Sequence, residues 1–367
     1  MTAFSLPRTV VRTLALTFLL SPFAAAQHYT QTNLVSDLDG MAAVTDPNLK
    51  NPWGLARSSG SPWWVSNNGT GTSTLYDAKG NPQPATPLVV TIPPPKNSTA
   101  TATPTGTVYN GTMDFTVAPN KPAIFIFVTE DGTISGWNPG VDPLNAQLVQ
   151  DNSKKGAIYK GCTISELHGA HYLYVTNFHA GRVEVYDAGF QRIKLSERAF
   201  DDDRLPRGYG PFNIQAIGSN LYVTYAKQDA DKHDDVAGPG LGFVDVFSPS
   251  GKLRARLEHG PWLNSPWGVA LAPGEFGEFS HNVLIGNFGS GQVAAYNPVT
   301  GKFRGMMKNP DNSVLTIDGL WALSFANNGA AGSSTTLYFS AGLNDEADGL
   351  FGTLTPVTTE LNEEDEP

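Results

Sequence analysis

Cysteine is almost absent. A single Cys162 stands in 367 residues, so no internal disulfide can form and the fold must be held by its core, which a chain of this length can supply. Charge is sparse as well. Asp, Glu, Lys and Arg make up 16% of the sequence, and the formal net charge of −10 is acidic, which argues against nucleic acid or anionic lipid as the partner. Beyond the N-terminus no apolar run approaches a membrane span. Helix-period segments are scarce. There is no G-x-S-x-G elbow, no P-loop and no dinucleotide fingerprint. Cys162 has no helix terminus or basic cluster beside it to activate a thiolate, so it reads as a buried thiol.

What is abundant is turn chemistry. With 38 Gly and 27 Pro, the chain suits many short strands joined by tight turns. Three stretches repeat one another: Trp64 to Gly80, Tyr174 to Phe190 and Leu284 to Gly301. Each reads strand, Asn-rich turn, strand, turn. Asn67, Asn177 and Asn287 recur at intervals of 110 residues. A repeat of antiparallel strands with a half-period near 55 residues marks a β-propeller. A sandwich or an open solenoid shares the strand content but leaves that spacing unexplained.

Six inner strands are expected, beginning at Asn51-Pro52-Trp53-Gly54, Thr112-Met113-Asp114-Phe115, Gly161-Cys162-Thr163, Gly210-Pro211-Phe212-Asn213, Ser265-Pro266-Trp267-Gly268 and Asp318-Gly319-Leu320-Trp321. Each is followed by a short β-branched or aromatic second strand. The chain is thus expected to be all-β, a six-bladed β-propeller. Thr32 to Asp37 would close the ring by pairing the N-terminal strand with the last blade, which removes the open edges.

The two ends read differently from the propeller, which is assigned residues 27–357. Arg8 and Arg12, the apolar Leu14 to Leu20 and the small residues Ala24-Ala25-Ala26 form a signal peptide over residues 1–26. Export to the periplasm or the extracellular space is the expectation. Residues 358–367 are acidic, lack apolar content and are expected to be a disordered tail.

Candidate chemistry falls in three places. The turns between second and third strands carry Asn67, Asn177, His179, Asn287 and Phe288, a ring of amides and aromatics at one mouth that suits a small molecule, a glycan or a protein partner. Turn geometry alone also selects Asn. Asp114, Asn213 and Asp318 are polar where inner strands would face the central channel. Asp229, Asp231, Asp234 and Asp235 crowd four carboxylates into one loop, oxygen ligands of the kind a divalent cation such as Ca2+ takes, although the loop is not a complete calcium-loop pattern. His168 and His171 fall at a turn on the opposite face and read as structural.

The elements Thr32 to Asp37, Asn51 to Gly54, Pro104-Thr105-Gly106, Asp234 to Val246 and Asp348 to Gly352 resemble a family of uncharacterised exported bacterial proteins with six-bladed propellers. More distantly the strand pattern is similar to NHL-type propellers. That resemblance implies scaffolds that host lactonases and lyases with a divalent cation in the channel, and also binding modules; fold alone does not choose between them. The expected function is an exported binding module. The alternative is a metal-dependent hydrolase or lyase, lactonase-like, with its cation in or over the channel.

Overall fold

A computed structural model of the protein describes Met1 and residues 28–357. The signal peptide and the acidic tail read from the sequence lie outside the described residues. Six sheets, each of four antiparallel strands or more, follow one another along the chain. Blade 1 is built from Pro52–Ala56, Trp63–Asn67, Thr72–Tyr76 and Val89–Thr91. Blade 5 repeats it with Pro266–Leu271, Val283–Asn287, Val293–Tyr296 and Phe303–Met306. The second strands are buried on both faces, all five residues of Trp63–Asn67 among them, because each sheet stacks on its neighbours to either side. They therefore read as continuous apolar or β-branched runs instead of alternating ones.

The joints between blades are apolar and rich in rings. Between blades 1 and 2, Trp64 stacks on Phe125 with ring centroids 4.3 Å apart, and Trp137 lies 4.6 Å away. Each such ring contributes about 5 kcal/mol of burial before the entropy of ordering is subtracted.

The ring closes as expected. Tyr29–Ser36 runs antiparallel to Asp348–Pro356, from Tyr29 opposite Pro356 to Ser36 opposite Leu350, with one slip of register between Asn33 and Val35. Ser36 Oγ donates to the Gly349 carbonyl at 2.6 Å and Asp37 Oδ1 accepts from Gly349 N at 2.8 Å. Tyr29 is fully buried, stacked on Phe279 and bonded to the Phe276 carbonyl of blade 5. Asn67, Asn177 and Asn287 end the second strands of blades 1, 3 and 5, so the repeat seen in the sequence spans two blades.

Two inner strands differ from expectation. Blade 2 begins at Pro104–Tyr109, not at Thr112. The Pro/Thr-rich segment ahead of it is therefore loop only up to Thr103, and Thr112 to Phe115 belong to the connection that follows. The reason is packing at Gly106, where an added Cβ would stand 2.8 Å from the backbone of Gly161 and Cys162. Gly54 meets blade 2 in the same way, 2.6 Å from Thr105 O. Only glycine allows adjacent inner strands to approach this closely, which aligns Pro104-Thr105-Gly106 with Pro52-Trp53-Gly54. In blade 3 the inner strand is Tyr159–Leu167, beginning before Gly161 and bringing Lys160 into it.

Candidate active site at the channel mouth

Every inner strand slips its pairing register near its start. The slips fall at Trp53, Thr105, Lys160, Phe212, Trp267 and Trp321 in blades 1 to 6. A bulge re-aims a side chain out of the sheet. Here it gathers these positions around the axis, where Trp53, Phe212, Trp267 and Trp321 pack with Phe178 into one cluster. Trp53 stacks on Trp321 at 3.4 Å and meets Trp267 edge-on at 6.0 Å. Phe288 covers Trp321 at 3.8 Å. The channel is plugged at this end by aromatic rings.

Lys160 is the one charged member of the ring, and it is 1% exposed. Its ammonium stands 5.1, 5.7 and 5.9 Å from the ring centres of Trp53, Phe178 and Phe212, which favours a cation electrostatically. Two carboxylates clasp it, Glu130 Oε1 at 2.5 Å and Asp234 Oδ1 at 3.1 Å. Burial pulls the ammonium down, but these two charges outweigh it and hold Lys160 above its usual range. Burial raises the Asp234 carboxyl, but Lys160 and His233 together outweigh it and hold Asp234 below the usual carboxylate range.

A third carboxylate has the opposite fate. Glu346 accepts from Asn51 Nδ2 at 2.6 Å. Burial first, then the fields of Glu130 and Asp234, push it up to about 7 despite Asn51 and Lys160. It is presented by three consecutive left-handed residues, Asn344, Asp345 and Glu346 at φ 55°, 54° and 67°, and a left-handed conformation costs about 1 kcal/mol or more at each non-glycine position. Asp318 Oδ2 accepts from Asn344 N at 3.1 Å and helps hold that turn. Asn68 Nδ2 donates to Glu130 Oε2 at 2.7 Å, and Trp321 Nε1 donates to Asn51 Oδ1 at 3.1 Å. The mouth thus holds the ammonium of Lys160, its two carboxylate partners and a third carboxyl pushed up to about 7 on one hydrogen-bonded frame.

The residues singled out from the sequence fall as follows. Asn67, Asn177 and Asn287 are buried inside their turns. Asn67 donates to Thr74 Oγ1, Asn177 to Glu184 Oε1, and Asn287 to the Gln292 carbonyl. Each ties its own turn together. His179 is half-buried beside Phe178, with a buried Nδ1 that has no hydrogen-bond partner. Asn213 does face the channel, and its amide donates to the Trp267 carbonyl at 2.8 Å, bridging the inner strands of blades 4 and 5. Asp114 is not a channel residue. It lies past the end of the blade 2 inner strand, and its Oδ2 pairs with His171 Nδ1 at 2.8 Å near the hairpin turn of blade 3 on the other face.

The four loop aspartates do not converge. Asp229 Oδ1 accepts from His233 N, Asp231 is exposed and Asp235 is half-buried, with burial pushing its carboxyl up. Asp234 bonds Lys160 at the mouth, and Asp235 lies close enough to feel the Lys160 charge. Among the described residues the side chains that could share one cation are Glu130, His233 and Asp234, whose ligand atoms lie within 4.8 Å of one another. Two of these already hold Lys160. Lys160 escaped the sequence reading, although the Pro-x-Gly phase of blades 1, 2 and 5 carried into blade 3 would have marked it.

This architecture defines a six-bladed β-propeller with a charged, aromatic-floored mouth. The chain belongs to one family with protein R648 and protein L690 of Acanthamoeba polyphaga mimivirus, both titled uncharacterised. The first is 31% identical over 347 residues, covering 92% of this chain and 83% of that protein. The second is 31% identical over 341 residues, covering 91% and 87%. No protein-family model matches. Among solved structures, a catalytically inactive variant of virginiamycin B lyase from Staphylococcus aureus with quinupristin is similar at TM-score 0.53 and 11% identity, over 90% of this chain and all of that one. A protein of unknown function from Bacteroides thetaiotaomicron is similar at 0.54 and 11%, over 90% of this chain and 76% of that one. At that identity the likeness shows the fold alone. Among the described residues no helix is long and apolar enough to cross a membrane.

Proposed function

We propose that the protein is a ligand-binding propeller whose charged mouth takes an organic cation, an alkylammonium or a guanidinium group. One observation carries the reading: Glu130, Asp234 and Glu346 share a mouth with the single ammonium of Lys160, and burial, with the fields of the other two carboxylates added to it, pushes the Glu346 carboxyl up to about 7. An incoming cation relieves that crowding. Asp234, 63% exposed, and the half-buried Glu346 offer it acceptors without entry into the aromatic plug. Export after removal of residues 1–26 is part of the same proposal.

The test is calorimetric titration at pH 6.5 with argininamide and with its neutral isostere citrullinamide, in buffers of different ionisation heat. Argininamide is expected to bind at least tenfold more tightly, with release of up to one proton as Glu346 ionises. Equal affinities, or binding without proton release, would overturn the reading. A second reading rests on Glu130, His233 and Asp234: a divalent cation held there would polarise a carbonyl or activate water, as in a hydrolase or lyase. Lys160 must first yield its two carboxylates. Elemental analysis before and after chelation decides it, since a stoichiometric metal favours the enzyme.

A further inference from the structure

The opposite end of the axis is open. A cavity of about 490 Å³ enters from the face of the hairpin turns between first and second strands, a volume in the range of small-molecule sites. Its walls are largely the apolar and small residues of the inner strands, Val108 and Leu323 among them, and no Asp or Glu lines it. It holds one charge, Arg57. The Arg57 Nε donates to the Phe325 carbonyl at 2.6 Å, across the joint between blades 1 and 6, and its guanidinium lies 5.7 Å from the Trp63 ring centre. Neither Nη group has a hydrogen-bond partner among the described residues. The Tyr109 and Ser324 hydroxyls, also on the wall, have none either, and Gln215 places an amide beside them.

A guanidinium stays charged whatever its surroundings and presents a planar fork that matches a carboxylate. Here the fork is fixed through Nε, leaving the donors that remain without a protein acceptor. In a chain of net charge −10, a cavity with one cation and no carboxylate is a local exception. We infer that this lower channel is a second ligand site, which takes a small monocarboxylate with an apolar body, its carboxylate on Arg57 and its body against the inner strands. The inference does not depend on the reading of the other mouth, because the two sites share no charged residue.

The experiment titrates the purified chain with 4-phenylbutyrate and with 4-phenylbutanol, the same body without the charge. The acid is expected to bind one to one and at least tenfold more tightly than the alcohol. Arg57→Gln should reduce that ratio below about threefold, while Arg57→Lys, which keeps the charge but not the fork, should keep part of it. Ser324→Trp fills the cavity and should abolish binding with Arg57 intact, an independent check should Arg57→Gln fold poorly. The inference is overturned if acid and alcohol bind wild type equally, if neither binds at millimolar concentration, or if Arg57→Gln preserves the preference.

Discussion

Replacing Glu346 with Gln tests the charged mouth without altering its shape. Gln keeps the length of the side chain and can still accept from Asn51 Nδ2. The carboxyl of Glu346 is pushed from an ordinary 4.5 to about 7, burial being the largest cause. Between those two values the folded chain keeps a proton that the unfolded chain has already released, so wild-type stability falls as pH rises through that window. The gap is worth about 3 kcal/mol at 1.36 kcal/mol per pH unit. Wild type and variant should therefore differ little near pH 4.5, and the variant should gain on wild type steadily until about pH 7.5. Above that the advantage should level off at about 2–3 kcal/mol. Urea unfolding of both proteins at half-unit steps from pH 4.5 to 8.5 reads this directly, because titration of groups away from the mouth cancels in the difference. A difference that stays flat across the window would mean that Glu346 ionises as an ordinary surface carboxyl, and the account of a crowded mouth would fall with it.

Two further outcomes follow from the packing. Lys160→Met should destabilise the chain by about 2–3 kcal/mol, since it leaves Glu130 and Asp234 facing each other without their cation; adding Glu130→Gln should recover part of the loss in the same denaturation assay. Gly106→Ala should lower stability by about 2–3 kcal/mol, because its Cβ would stand 2.8 Å from the blade 3 backbone, whereas Ala at the exposed turn residue Gly60, where an added Cβ meets nothing within 4 Å, should be near neutral.

The fold was legible because blades repeat their turn chemistry. Asn67, Asn177 and Asn287 recur since each closes the same turn from inside, a local requirement that leaves a mark in sequence. Blade 2 was misplaced because Thr105 stands where blades 1, 4, 5 and 6 have an aromatic residue, and a Pro/Thr-rich run reads as loop when its Gly106 contact with blade 3 is unknown. That same phase error hid Lys160. The left-handed backbone that presents Glu346 was hidden for another reason: Leu343-Asn344-Asp345-Glu346 has no glycine to signal it, and tertiary contacts such as Asp318 to Asn344 N impose it. The aspartate loop misled through composition, since four carboxylates near in sequence point in different directions once Asp229 caps its own turn.

The closing strand has a consequence for how the chain is made. Tyr29 must wait for Pro356, so the strand of the ring that is made first is among the last to find its partner. At about 5–20 residues per second, that wait lasts tens of seconds. By its end, five finished blades form an arc with an uncovered apolar sheet face at each end. A nascent chain in that state is open to pairing with a neighbouring arc, and the order of synthesis makes the interval unavoidable however stable the finished ring becomes.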